Sequence, residues 1–218
     1  MDDWATISAL ATAGGTLALA IATFVSVRSA NRSARVAERA LQAGMRPLLS
    51  GSRLVDPDIK IGWSDDHRAV VGGGRASVEL VDDRIYLAMS LRNVGSGVAV
   101  LQAWSIDVPA SIEEQAPLDD LDRFRRQLRD LYISANDVGF WQAALRDRDD
   151  PLYAPVRSAI EARATFLVDV LYTNDEGDQR AATRFVVAPT HDDDTQWLCS
   201  VGRHIYLDRP NPRQYGEA

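Results

Sequence analysis

The chain has 218 residues, of which 46% are hydrophobic and 25% charged, a balance that excludes both a disordered polypeptide and a polytopic membrane protein. Its formal charge of −7 is unevenly spread: Arg28, Arg32, Arg35, Arg39 and Arg46 against Asp2, Asp3 and Glu38 give residues 1–46 a net +2, so the remainder carries −9. A body that acidic repels phosphate backbones, which argues against nucleic acid as a partner, and it stands off an anionic bilayer.

From Trp4 to Val27 no residue is charged. As a helix this stretch spans about 36 Å, against a hydrocarbon core of about 30 Å. Leu10, Leu17, Leu19, Ile21, Phe24, Val25 and Val27 supply the apolar drive, and Trp4 stands at one end, where an indole suits the interface. The expectation is an N-terminal segment, 1–27, with one transmembrane helix over about 4–27 and the lipid bilayer as its partner. A secretory signal carries positive charge before its apolar core, whereas here Asp2 and Asp3 precede the core and the arginines follow it. The same arginines orient the span: the N-terminus is expected outside the inner (cell) membrane and the body in the cytoplasm. A lone cysteine, Cys199, allows no intramolecular disulfide and agrees with a reducing compartment.

Residues 28–46 read as a juxtamembrane helix. Arg28, Arg32, Arg35 and Arg39 fall on one stripe, with Arg28 and Arg32 near lipid head groups. Ala30, Ala34, Ala37, Leu41 and Gly44 form the opposite stripe, which continues upward through Val27, Thr23, Ala20, Thr16 and Ala13. Gly14, Ala18 and Ala22 add a small-residue row. Two readings stay open here: a homo-oligomer formed through this small-residue helix seam, and an alanine-rich helix in an alanine-rich protein.

After Pro47 the periodicity becomes two, and the soluble domain over 47–218 reads as an antiparallel β-sandwich. Ile85, Leu87, Met89 and Leu91 alternate with Tyr86, Ala88, Ser90 and Arg92. Val98, Val100, Trp104, Ile106 and Val108 make the next face, followed by Phe166, Val168, Val170 and Tyr172, then Phe185 and Val187, then Trp197, Cys199 and Val201. The loop TNDEGDQ before Arg180 is of hairpin type, with a glycine for positive φ. Gly72, Gly73 and Gly74 read as a flexible loop. Leu118, Leu121, Phe124, Leu128 and Leu131 follow helical spacing after Pro117, and Phe140, Trp141, Ala144 and Leu145 suggest a second short helix. A helical insertion over about 113–160 is therefore expected. Phe140 and Trp141 are its candidate partner surface, against the plainer reading that both pack onto the sheet.

Within LRNVGSGVAV, residues 91–100, Asn93, Gly95, Gly97 and Ala99 form an N-x-G-x-G-x-A pattern. It resembles the strand–turn–strand of bacterial immunoglobulin-like sandwich domains, some of them adhesion-related. It is also similar to uncharacterised bacterial single-pass membrane proteins that join such a domain to a helix followed by arginines. The resemblance implies an immunoglobulin-like fold, not a chemistry. Physically, the two glycines allow a tight turn and Asn93 can bond backbone groups within it.

No catalytic, cofactor-binding or metal-ligating residue is assigned. His191 beside Asp192, Asp193 and Asp194 reads as a solvated acidic turn rather than a cation site, and His67 near Asp65 and Asp66 reads likewise. His204 reads as a packed strand histidine, and Cys199 as a buried, inert thiol. The functional expectation is a membrane-anchored, non-enzymatic interaction module (adaptor, sensor or accessory subunit) with an unidentified protein partner. The alternatives are an extracytoplasmic adhesion or envelope-binding domain of opposite topology, and a metal-dependent enzyme using the 191–194 loop.

Overall fold

The computed structural model describes residues 2–190, 193 and 195–209, with side-chain surroundings from Thr12 onward except at 39, 42 and 43. The chain divides into two units, Met1–Gly44 and Met45–Ala218. The first is helix α1, Asp2–Gly44, whose 43 residues correspond to about 65 Å. Alanine and straight-chain residues favour it, and Pro47 lies just beyond its end. It is one helix long and apolar enough to cross a membrane, with the candidate span at Thr12–Glu38 and none of that window buried. Leu17, Leu19, Ile21, Phe24, Val25 and Val27 are all exposed, as are Arg28, Arg32 and Arg35. The side chains of Trp4, Leu10 and Arg39 lie outside the described residues. Thr16 and Thr23 donate to the carbonyls of Thr12 and Leu19 at 2.8 Å each, which satisfies hydroxyls that hydrocarbon would leave unpaired.

The second unit is mainly antiparallel β. Its strands are β1 (Leu49–Gly51), β2 (Ile59–Gly62), β3 (Arg68–Val71), β4 (Arg75–Val81), β5 (Arg84–Asn93), β6 (Ala99–Asp107), β7 (Arg125–Ile133), β8 (Val138–Leu145), β9 (Phe166–Thr173), β10 (Arg180–Pro189) and β11 (Trp197–Tyr206). Nine of them form one sheet, in the order β1-β5-β4-β11-β10-β9-β6-β7, with β8 also paired to β5. The sheet curls into a sandwich-like body, and β4 and β11 share only two register pairs, Ala76–Trp197 and Arg75–Leu198. One layer is β8-β5-β4 and the other is β11-β10-β9-β6-β7. Between them lie Leu87, Met89, Trp141, Trp104, Phe166, Tyr172 and Phe185, part of one continuous core.

Both outer faces are covered as well, which is why β9 is buried along its whole length and β5 nearly so. The β2–β3 hairpin lays Ile61, Trp63, Ala69 and Val71 over Tyr86 and Ala88 of β5. On the other layer, Leu118 and Phe124 of the β6–β7 connection pack on Ala103, Leu171, Ala182 and Ile205. That connection is fastened by a buried ion pair. Arg184 and Asp169 are register partners on β10 and β9. The guanidinium donates to both carboxylate oxygens at 2.8 Å and to the Ala116 carbonyl at 2.8 Å. Arg123 donates to the same carboxylate at 3.2 Å.

Three readings of the sequence are corrected. The insertion over 113–160 is not mainly helical: of the residues read as helices, Leu128 and Leu131 lie in β7, Phe140, Trp141, Ala144 and Leu145 lie in β8, and Leu118 and Phe124 flank a single 3-10 turn at Leu121–Arg123. Its one α-helix, α2 (Tyr153–Glu161), buries Tyr153, Val156 and Ala159 in the core. On β6 the inward phase flips at a bulge beside Gln102, so Ala99 and Leu101 share the core with Trp104 and Ile106, and Val100 does not. Gly72–74 is packed rather than loose: Gly74 N donates to Ser52 Oγ and its carbonyl accepts from Cys199 N. The hairpin after β9 is as expected, with Gly177 at φ +82°.

Asn93 binds three segments together. Its Oδ1 accepts from Leu48 N at 3.1 Å and Gly95 N at 3.0 Å, and its Nδ2 donates to the carbonyls of Gly97 at 2.6 Å and Ile133 at 3.0 Å. Gly97 owes its identity to close approach, since a Cβ there would lie 1.7 Å from the Met45 carbonyl oxygen. Asn93→Ala leaves those groups without partners in a buried setting, at about 1–3 kcal/mol each before relaxation. We expect a net loss of about 3 kcal/mol in urea denaturation of the solubilised full chain; an unmoved midpoint would contradict this account of the motif.

Candidate functional site

β7 and β8 are joined through residues 134–137 but carry no ladder between them, so the curled sheet is open along this seam. A cleft of about 580 Å³ occupies the opening, within the usual range for ligand sites. Trp63 and Trp104 wall it, Gln142, Ala143 and Ala144 of β8 form one side, and Arg125, Arg126, Arg129 and Arg146 ring it.

The shape of β7 follows from its register with β6. Pairing passes from Leu101–Leu131 to Ala103–Arg126, so residues 127–130 stand opposite Gln102 alone. Four residues set outside the ladder throw Leu128 outward, where it is 98% exposed. On the far side of this bulge a second hollow of about 870 Å³ is lined by Gln102, Phe124, Arg126, Arg129 and Arg180.

The four arginines are not equivalent. Arg125 is paired bidentately with Asp150 and lies over the Trp104 ring at 5.7 Å. Arg146 Nε donates to Asp65 Oδ2 at 2.8 Å, and the Tyr86 hydroxyl donates to the same oxygen at 2.7 Å. Hydrogen bonding from Arg125 holds the Asp150 carboxyl below its ordinary value of 3.8, and bonds from Arg146 and Tyr86 do the same for Asp65. Arg126 and Arg129 are exposed and have no acidic partner among the described residues. Gln127 Nε2 bridges to the Gln142 carbonyl at 3.1 Å, whereas the Oε1 atoms of Gln127 and Gln142 are buried without a donor among the described residues.

Trp141 does not form a partner surface. It is fully buried and packs edge-on against Trp104 at 5.7 Å between ring centres. It fills the core because its inward position on β8 faces Met89, its register partner on β5. Phe140 points to the outer face, half-buried against the β2–β3 hairpin cluster. His67 stacks on Tyr86 at 3.9 Å, with Nε2 3.0 Å from Glu79 Oε2. His204 Nδ1 meets Thr183 Oγ1 at 2.9 Å and the Tyr172 hydroxyl at 3.3 Å. That hydroxyl also accepts from Leu49 N, and burial pushes its pKa up to about 12. Of the 191–194 loop, His191, Asp192 and Asp194 lie outside the described residues, while Asp193 accepts from Thr195 N and Oγ1.

The cleft residues were not singled out by sequence reasoning. The signal available was the cluster Arg125, Arg126 and Arg129, the densest run of basic charge in an acidic body.

No protein-family model matches the chain, and no curated protein matches it. Among solved structures it is similar to a protein from Archaeoglobus fulgidus, at 11% identity and a TM-score of 0.24, over 63% of this chain and 95% of that one.

Two outcomes follow from the electrostatics. Because Asp150 has a lower pKa folded than unfolded, its ion pair contributes stability above about pH 4 that is lost as the pH falls through the folded value. Arg125→Gln removes that contribution, so the denaturation midpoints of variant and parent should differ at neutral pH and converge in acid; parallel curves would refute the pairing. Burial also pushes the Cys199 thiol up to about 12. Iodoacetamide should therefore leave it unmodified in the native chain and alkylate it in denaturant, as read by intact mass.

Proposed function

We propose that this chain is a membrane-anchored, non-enzymatic interaction module whose body works at the cytoplasmic face of the membrane. The observation that carries the reading is α1: its uncharged stretch from Thr12 to Val27 has every side chain exposed and is followed directly by Arg28, Arg32 and Arg35. An apolar surface of that length needs a bilayer or an equivalent partner to cover it, and arginines on one flank orient a span with that flank inside.

The placement of the titratable side chains supports an interaction role over catalysis. His67 is stacked on Tyr86 beside Glu79, His204 is hydrogen-bonded to Thr183, and the Cys199 thiol is buried and protonated. The β7–β8 seam instead offers an open, positively charged concavity on rigid strands, the form in which recognition surfaces are commonly built.

Reporters fused at the C-terminus that are active on only one side of the membrane test the topology. A cytoplasmic signal is expected, together with in-cell crosslinks that are lost when α1 is deleted. An external signal would overturn the reading and favour an envelope-binding domain of opposite orientation.

A further inference from the structure

We propose that the β7–β8 cleft binds an extended, acidic segment of a partner protein, lying along the free edge of β7 with its carboxylates on Arg126 and Arg129. The inference rests on the interaction-module reading and gives that module its site and the chemistry of its ligand.

Three independent features of the cleft point to this occupant. Charge comes first. Arg125 and Arg146 are already neutralised by Asp150 and Asp65, so they serve as fixed walls. Arg126 and Arg129 are exposed on β7 and unpaired among the described residues, in a body that is otherwise strongly acidic. An acidic ligand is complementary there and is repelled elsewhere. The second feature is hydrogen bonding. The Oε1 atoms of Gln127 and Gln142, two residues that line the cleft, are buried acceptors without donors among the described residues. A peptide carries an N–H at nearly every residue, whereas a free carboxylate supplies no donor and a phosphate ion only its residual O–H. The third is the backbone. β7 ends the sheet order, and a strand edge without a neighbour is the template on which peptides add as a further strand. Successive side chains of an added strand alternate in direction. Some of them then meet the two arginines and others Leu128 and the Trp63 wall, all of which line the cleft. This alternation predicts acidic residues interleaved with apolar ones.

The test is to pan a random decapeptide display library against the full chain in nanodiscs of neutral lipid, and in parallel against the variants R126E/R129E and Leu128→Asp. All three positions are exposed, and each variant is used only if its denaturation midpoint matches the parent. The expected pool alternates acidic and apolar residues. A synthetic member of it should bind R126E/R129E at least about tenfold more weakly, bind Leu128→Asp more weakly too, and lose affinity as salt rises. A pool without acidic enrichment, or one retained equally by R126E/R129E, overturns the proposal. So does complete displacement of the peptide by free glutamate or inorganic phosphate, which would mark a small-anion site. If the peptide arm fails while α1-dependent crosslinks persist, the inference falls and the interaction-module reading stands; if the topology reporter lies outside while the peptide binds, the reverse holds.

Discussion

The body depends on one carboxamide. Asn93 spends all of its hydrogen-bonding capacity on backbone: two N–H groups, at Leu48 and Gly95, and two carbonyls, at Gly97 and Ile133. These come from the chain just before β1, from the β5–β6 turn and from the end of β7. A side chain that satisfies buried groups on three segments costs little to bury, because nothing polar is left over. It also fixes where each segment lies, and the glycines at 95 and 97 let the chain before β1 come within backbone contact of the turn. The start of β1, the turn from β5 to β6 and the end of β7 near the cleft are therefore set at one point.

The outer faces show a second constraint. A sandwich needs only its inner faces to be apolar, yet here the hairpin β2–β3 and the 113–124 connection roof both layers. The roof over β9 and β10 is held by the Asp169–Arg184 pair, buried on both sides. Such pairs add little net stability over apolar residues of similar volume, but losing one partner strands a charge. Their value here is positional: Arg184 reaches Gln115 and Ala116, and Arg123 returns to Asp169, so a connection of mixed composition has a single place to lie.

The strands with inner faces of large apolar residues were legible in the sequence. Ile85, Leu87, Met89 and Leu91, and Phe166, Val168, Val170 and Tyr172, sit as their alternation predicts. The bulges were not legible. A single extra residue at Gln102 shifts the period by one, and the four residues 127–130 outside the β6 ladder give Leu118, Leu121, Phe124, Leu128 and Leu131 a spacing that imitates a helix. In fact Leu118 and Phe124 serve the roof, Leu131 serves the core and Leu128 serves neither. The cleft shares this origin. It is made by the gap between two strand edges and by an irregular register, and neither leaves a periodic trace. Trp141 was a candidate surface only because it fell in the expected helical insertion; pairing with Met89 of β5 turns it inward, as the plainer reading had it.

Arg46, two residues into the body, forms a bidentate ion pair with Asp208, two residues beyond β11. Its guanidinium lies 4.6 Å from the centre of the Tyr206 ring, which Arg209 approaches at 3.8 Å. In polymer terms the stretch from Arg46 to Asp208 is nearly a ring: the two residues are already clasped, so most of the entropy of closing that long loop has been spent by folding itself. Joining those ends with a short linker and opening the chain at another exposed turn, such as the one at Gly177, should yield a circularly permuted body with the same contacts.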